Sequence, residues 1–469
     1  MKVQEDKVTD GGALAAMDTT ASVREGIMDE QSITPRVYKR RFIGMVVLFA
    51  LNICSALAWI DMASVVDYAS EHFSTSPSRI NWFSTSFLFV ALAANWPASI
   101  ATRKSIKLSM MISSGLMASG TWVMYSGTRV KSFGLAIFGH CIIAASQSFI
   151  IILPAPYSET WFVSGSRATA TAVSSLANIL GGTVGQFIMT AWVKSAEGVT
   201  CGILYQSILL SAVACMVVFV PAKPPTPPGV AAKHERTLSY RQEVQTLFTR
   251  VEFYLIGFPF AMLSGVFNAM SFLSFQMCMP YGFTVNQCVV AGCLIVVPGL
   301  ATSLIASRAA DMYRCHKWVL KTLAVIQGAG FLAFVWVPPS GSIAFLYSIC
   351  IVISIGVVGS GPIAVEFVAE VVYPLGPELA IAIMWAMGQL LGGVLTIGEG
   401  YMTDNSGGLQ HGVYLQTVLA LCCLPFTLSL GLLGRHHHVQ LKRTRAEEAK
   451  QSPKQGDAAE TIPASETIV

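Results

Sequence analysis

The residues of this chain best placed to do chemistry are polar or aromatic side chains set inside long apolar runs, where each needs a partner or a solute. Trp59 lies near the centre of the run at 42–66, away from the membrane interfaces where tryptophans concentrate. A midplane indole facing a cavity offers its π face to a quaternary ammonium or a flat ring. Packed between helices, the same indole would only fill space. Gln389 carries an uncharged amide in the run at 378–402. In hydrocarbon that amide needs another helix, water or a solute hydroxyl.

The acids inside apolar runs come next, because a carboxylate there is costly unless paired or used. Asp61 follows Trp59 by two residues, roughly 200° around a helix and so on another face. It could hold a cation or a proton, or bond a neighbouring helix. Glu366 and Glu370 are four apart and share one face, which suits a gate or a contact between helices. Glu399 lies toward the far end of its run, where solvent would account for it. His140 and Gln147 are seven apart and also share a face; they could line a cavity, or the histidine could bond within the bundle. His436, His437 and His438 could bind a metal but sit in a basic flank, so no metal site is expected.

These residues need a membrane scaffold to position them. With 53% hydrophobic and 12% charged residues and a net charge of +4, the 469 residues are too apolar for a water-soluble fold. Twelve runs of about 20 residues are long enough to cross the hydrocarbon. They fall near 42–66, 80–101, 107–127, 133–153, 168–192 and 201–220, then 252–276, 287–307, 318–338, 343–368, 378–402 and 412–434. Between the two sets, residues 221–250 turn to proline and charge and must lie outside the bilayer. Lys and Arg flank the spans mainly on the side of this linker, which places both termini and the linker in the cytosol. The polar arm 1–35 and tail 435–469 are expected to be disordered.

The two sets, 36–220 and 251–434, also repeat. At an offset of 211, Asn178-Ile179-Leu180-Gly181-Gly182 lies over Gln389-Leu390-Leu391-Gly392-Gly393. The expected fold is an all-α membrane protein of 12 transmembrane helices in two six-helix pseudo-repeats, the layout of a rocking transporter with its site between halves. The eleven cysteines mostly lie in apolar runs and act as small hydrophobes. There is no phosphate-binding Gly-x-x-x-x-Gly-Lys-Ser/Thr motif, no basic face suited to nucleic acid, and no cluster of His and Asp or activated nucleophile that would mark an enzyme. No cofactor is called for. The expected partners are a small solute and the lipid bilayer, with the chain a monomer in the plasma membrane or an organellar one.

Several motifs together give a resemblance. Ala58-Trp59-Ile60, Leu153-Pro154 with Trp161-Phe162, Glu370-Val371-Val372-Tyr373-Pro374, and Gly388-Gln389 to Gly392 with Glu399-Gly400 are similar to the feline leukaemia virus subgroup C receptor-related branch of the major facilitator superfamily, solute carrier family 49. The resemblance implies a secondary transporter of choline or ethanolamine, of heme, or of vitamin B6. A non-transporting sensor built on the same pocket is a further possibility. It implies that Trp59 contacts the ligand and that Gln389 binds it. The branch's choline carriers have a glutamine where this chain has Ile179 and a tyrosine where it has Phe267 or Asn268. Asn178, next to the lost glutamine, points about 100° away. Asp311 and Arg314 resemble the superfamily's loop motif, whose charges hold helix ends together; in the first half Ala101 stands where the acid belongs.

Overall fold

The structure, a computed structural model, describes residues 38–80, 82–225, 239–402, 409–432 and 441–444. The arm 1–35, the triplet His436–His438 and most of the tail lie outside the described residues. Twelve long helices carry the fold: α1 (Arg41–Ile60), α2 (Trp82–Lys104), α3 (Ile106–Arg129), α4 (Phe133–Ile151), α5 (Arg167–Trp192) and α6 (Gly198–Met216), then α7 (Val251–Cys278), α8 (Val285–Tyr313), α9 (His316–Phe334), α10 (Ile343–Val372), α11 (Pro377–Gly400) and α12 (Gln410–Leu428). Among the described residues, eleven helices are long and apolar enough to cross a membrane. The exception is α3, long enough at 24 residues but rich in Ser, Gly and Thr. Hydrocarbon offers the backbone no partners, so each crossing must bond within itself. Hydroxyl caps fix where several begin: Ser105, Ser132, Thr284 and Ser342 accept the first-turn N–H groups of α3, α4, α8 and α10.

Two helix ends differ from the sequence expectation. The first ends at Ile60 rather than near 66, and the chain continues through a short turn into a separate helix, Val66–His72. The tenth runs on to Val372, so Glu370 belongs to the helix itself.

The repeat seen in sequence is a repeat of packing. A Cβ added at Gly181 in α5 would lie 2.5 Å from the Ile53 carbonyl oxygen of α1. At the matching position in the second half, a Cβ on Gly392 in α11 would lie 3.0 Å from Asn268 Cβ of α7. Without a hydrophobic drive between helices in lipid, such small residues let backbones approach and recover dispersion energy. α3 and α4 use the same device, where a Cβ on Gly120 would sit 2.9 Å from Gly139 O.

The halves meet through α2 against α11 and through α5 against α8 and α10. The linker contains a helix of its own, Tyr240–Phe248, opened by a capping box of Ser239 and Gln242. It is tied to α2 by Ser99 Oγ and Tyr240 Oη at 2.7 Å and by an ion pair of Arg103 with buried Glu243 at 3.2 Å. Even-numbered helices end, and odd-numbered ones begin, on this linker side.

Candidate functional site

The face between the halves gathers Trp59 and Gln389, the first two residues singled out from sequence. Trp59 is half-buried in α1, and its indole meets Phe272 of α7 edge-on, with ring centroids 5.2 Å apart. Phe87 of α2 tilts against it at 6.5 Å. The indole Nε1 is buried and has no hydrogen-bond partner among the described residues. Elsewhere on the boundary between the halves, Asn95 Nδ2 of α2 donates to Gln389 Oε1 of α11 at 2.8 Å, joining one half to the other. Both amides are nearly fully buried, and Asn95 Oδ1 has no donor.

Gln389 therefore has a protein partner, as the inter-helix reading of the sequence allowed, and that partner belongs to the opposite half. One turn on, Gly392 abuts Asn268 of α7 within the second half. Phe267, its neighbour, packs against the interior of the second half. Asn178 of α5 is half-buried, with a buried Nδ2 that has no partner. Gln147 of α4 is buried. The structure adds Asn95 and Phe272. Asn95 carried the same signal as Gln389, an amide inside an apolar run. Phe272 carried none, being one phenylalanine among 25. It supplies the aromatic wall that Phe267 and Asn268 do not.

A cavity exists elsewhere, lined by Pro259, Phe260, Ser264, Gln327, Ser360 and Thr427. It contains none of these residues and is lined by the second half alone. A site that must open to both sides belongs between halves, and that favours the Trp59 face.

Asp61 does not face that site. It is fully buried in the first half, where Gln206 Nε2 of α6 donates to Oδ2 at 2.8 Å and His140 Nε2 of α4 lies 3.5 Å from Oδ1. The same His140 nitrogen is 2.8 Å from the Ala58 carbonyl oxygen. This acid and histidine thus bind α1 to α4 and α6, and the histidine bonds within the first half. Glu399 likewise is fully buried rather than solvated, accepting from Gln416 Nε2 of α12 at 2.7 Å.

The remaining acids join the halves on the linker side. Asp311 of α8 accepts the Ala168 N–H at 3.0 Å, the Thr169 N–H at 2.8 Å and the Thr169 hydroxyl at 2.7 Å, all from the first turn of α5. A carboxylate at a helix N-terminus meets both the unpaired N–H groups and the positive end of the dipole. Arg314 supplies the left-handed residue that ends α8, with φ 53°. In the first half the corresponding turn is a single residue, Ser105, between α2 and α3. Glu366 of α10 accepts the Thr171 hydroxyl at 2.8 Å across the same boundary. Glu370 turns toward the C-terminal tail, where it meets Arg443 and Thr444.

A family profile described as the Major Facilitator Superfamily matches residues 47–397. The chain belongs to this superfamily. Among curated proteins it is 24% identical to the choline/ethanolamine transporter FLVCR1 of Felis catus over 420 residues, covering 85% of this chain and 74% of that one. It is 23% identical to the choline/ethanolamine transporter flvcr2a of Danio rerio, covering 85% and 88%, and 22% identical to FLVCR2 of Homo sapiens, covering 82% and 76%. Among solved structures, the superfamily transporter FucP in the outward conformation superposes with a TM-score of 0.67 at 14% identity, covering 83% of this chain and 99% of that one. The proton:xylose symporter XylE gives 0.67 at 13% identity, covering 87% and 98%. As a member of this superfamily, the chain is a multi-pass membrane protein and a secondary transporter of a small solute. The hydrogen bonds of Asp311 and Glu366 hold its two halves together on the linker side, away from the outer ends.

Proposed function

We propose that the chain carries a choline- or ethanolamine-like cation across its membrane by alternating access, with Trp59 as the surface that receives the cationic head. The observation that carries this reading is the Trp59 indole on the inter-half face, opposed by Phe272 and flanked by Phe87, with a buried Nε1 lacking a protein partner. Aromatic faces attract an alkylammonium through their quadrupole, most strongly where water is excluded. The Asn95–Gln389 pair lies on the same face with an acceptor, Asn95 Oδ1, left over for a hydroxyl. The names of the relatives support the same class of solute. Asn178, Asn268 and Gln147 are further polar groups for the solute to meet during passage.

Heme is less well served. It would ask for an axial ligand, and His140 is fully buried and already bonded within the first half. We further propose that both termini and the linker are cytosolic, following the excess of Lys and Arg on that side, and that the monomer is the transporting unit. Asp61 serves to lock α1 in place, while Asp311, Glu366 and Glu370 form the cytosolic gate.

The test is uptake of labelled choline, ethanolamine, pyridoxine and heme into liposomes holding the purified protein, with Trp59→Ala in parallel. Saturable uptake of choline or ethanolamine that the variant loses is expected. Uptake of choline by Trp59→Ala equal to wild type would overturn the assignment of Trp59, and uptake of another compound alone would overturn the substrate class.

A further inference from the structure

The C-terminal tail is not wholly a solvated appendage. Its four described residues, Leu441 to Thr444, return to the linker-side end of α10, and Arg443 is completely buried there. Arg443 Nε donates to Glu370 Oε1 at 2.9 Å, and a terminal guanidinium nitrogen reaches both Glu370 Oε1, at 2.8 Å, and Glu366 Oε1. The Thr444 N–H and hydroxyl donate to the two oxygens of Glu370, each at 3.1 Å. Two acids on adjacent turns of α10 thus form a fork that matches the fork of an arginine.

The second oxygen of Glu366 points the other way. It accepts the Thr171 hydroxyl of α5 at 2.8 Å and lies 3.5 Å from the Ser158 hydroxyl, both groups of the first half. A continuous path of charge-assisted bonds therefore runs from the tail, through α10, to the opposite half. Burial works against the Arg443 charge, but Glu370, Glu366 and Glu159 more than offset it and hold the guanidinium above its ordinary range. The converse also holds: without Arg443, two buried carboxylates lose their direct cation. A buried carboxylate with no counter-charge is unstable, so Glu366 would then gain by turning to water, which separation of the halves admits.

The tail's apolar hold is slight. Among these four residues only Leu441 packs on the interior, against the cluster that includes Leu430. The segment is kept in place by its charge and its hydrogen bonds.

The geometry points to a binding site at the linker-side end of α10 for the chain's own C-terminal segment, with Arg443 as the recognised side chain, whose occupancy locks the two halves together on that side. This inference rests on the reading of the chain as an alternating-access carrier. Release of the segment frees the gate; docking closes it.

The test uses the full-length protein in lipid nanodiscs, without any solute. Dyes at two exposed linker-side positions, Lys104 on α2 and Met312 on α8, report the separation of the halves by fluorescence transfer. Arg443→Ala is expected to raise the ratio of separated to closed molecules at least tenfold. Thr444→Asp, which sets a third carboxylate against Glu370 and keeps the arginine, is expected to do the same. A synthetic peptide spanning Gln440 to Lys450, added to the Arg443→Ala protein, is expected to restore the closed population, and the same peptide with alanine at 443 is not. Transfer in both variants equal to wild type would overturn the proposal, as would equal action of the two peptides. Should Arg443→Ala fail to fold, Thr444→Asp alone decides in the same way. Because no solute is present, failure of choline uptake bears on the proposed substrate and leaves this result standing.

Discussion

Replacing Asp311 by asparagine isolates the charge that joins α8 to α5. In the native chain one carboxylate takes three bonds from the first turn of α5, at 3.0, 2.8 and 2.7 Å. Asparagine keeps a single acceptor oxygen and turns an NH2 group toward the other donors, so one backbone bond survives and the second N–H faces a donor. A bond to an ionised acceptor contributes about 1.5–3 kcal/mol and a neutral one about 0.5–1.5 kcal/mol. The lost attraction to the α5 N-terminus adds about 0.3–1 kcal/mol. The closed arrangement of the halves is therefore expected to weaken by about 2–4 kcal/mol, which at 1.4 kcal/mol per decade multiplies opening about 30- to 700-fold. Amide hydrogen exchange of full-length protein in nanodiscs reads this directly, because the Ala168 and Thr169 N–H groups are themselves the donors. Exchange there should accelerate by that factor while peptides from the α3–α4 contact stay unchanged. An α5 first turn that exchanges at the wild-type rate in the folded variant would refute the role given to Asp311.

Four further outcomes follow from the same contacts. Trp59→Tyr should retain choline uptake with an affinity weakened by less than about 30-fold, since a smaller π face keeps part of an attraction worth about 0.5–2 kcal/mol; concentration dependence of uptake checks this. Asn95→Ala and Gln389→Ala should each cost about 1–3 kcal/mol through the partner left unbonded. Their double variant should cost less than the sum, with a coupling of about 0.5–3 kcal/mol read from denaturation midpoints, and strict additivity would mean that the amide pair does not bridge the halves. Asp61→Ala should destabilise the first half by about 1–3 kcal/mol by stranding the Gln206 amide, and a melting temperature equal to wild type would contradict the contacts assigned to it. Gly120→Val should force α3 from α4 and cost about 1–3 kcal/mol or more in thermal unfolding; an unshifted transition would show that the two helices do not depend on this close approach.

Much of the architecture could be read from the residues in order. Hydrocarbon thickness sets the length of an apolar run, so the twelve helices, their break at 221–250 and the offset that pairs Gly181 with Gly392 were all visible along the chain. The polar α3 shows the limit of that signal, because its serines and glycines serve packing against α4 rather than crossing as such. Trp59 and Gln389 could be picked out because an indole at midplane and an amide in hydrocarbon are each out of place unless something meets them. What meets them was hidden: Asn95 lies 294 residues from Gln389, and Phe272 is one apolar residue among many.

The acids divide along the same line. Sequence gave each a price in free energy but not its partner, since a partner comes from another helix at a distance no spacing encodes. Asp61 and Glu399 proved to bond within their own halves, whereas Asp311 and Glu366 bond across the boundary. Arg443, in a tail whose composition reads as solvated, is buried because two glutamates one turn apart on α10 present a matching fork. Composition and periodicity thus determined where the long helices lie and which residues need partners, because those follow from the one-dimensional cost of entering lipid. Tertiary structure alone decided which half each partner comes from, and with it which residues join helices within a half and which join the two halves.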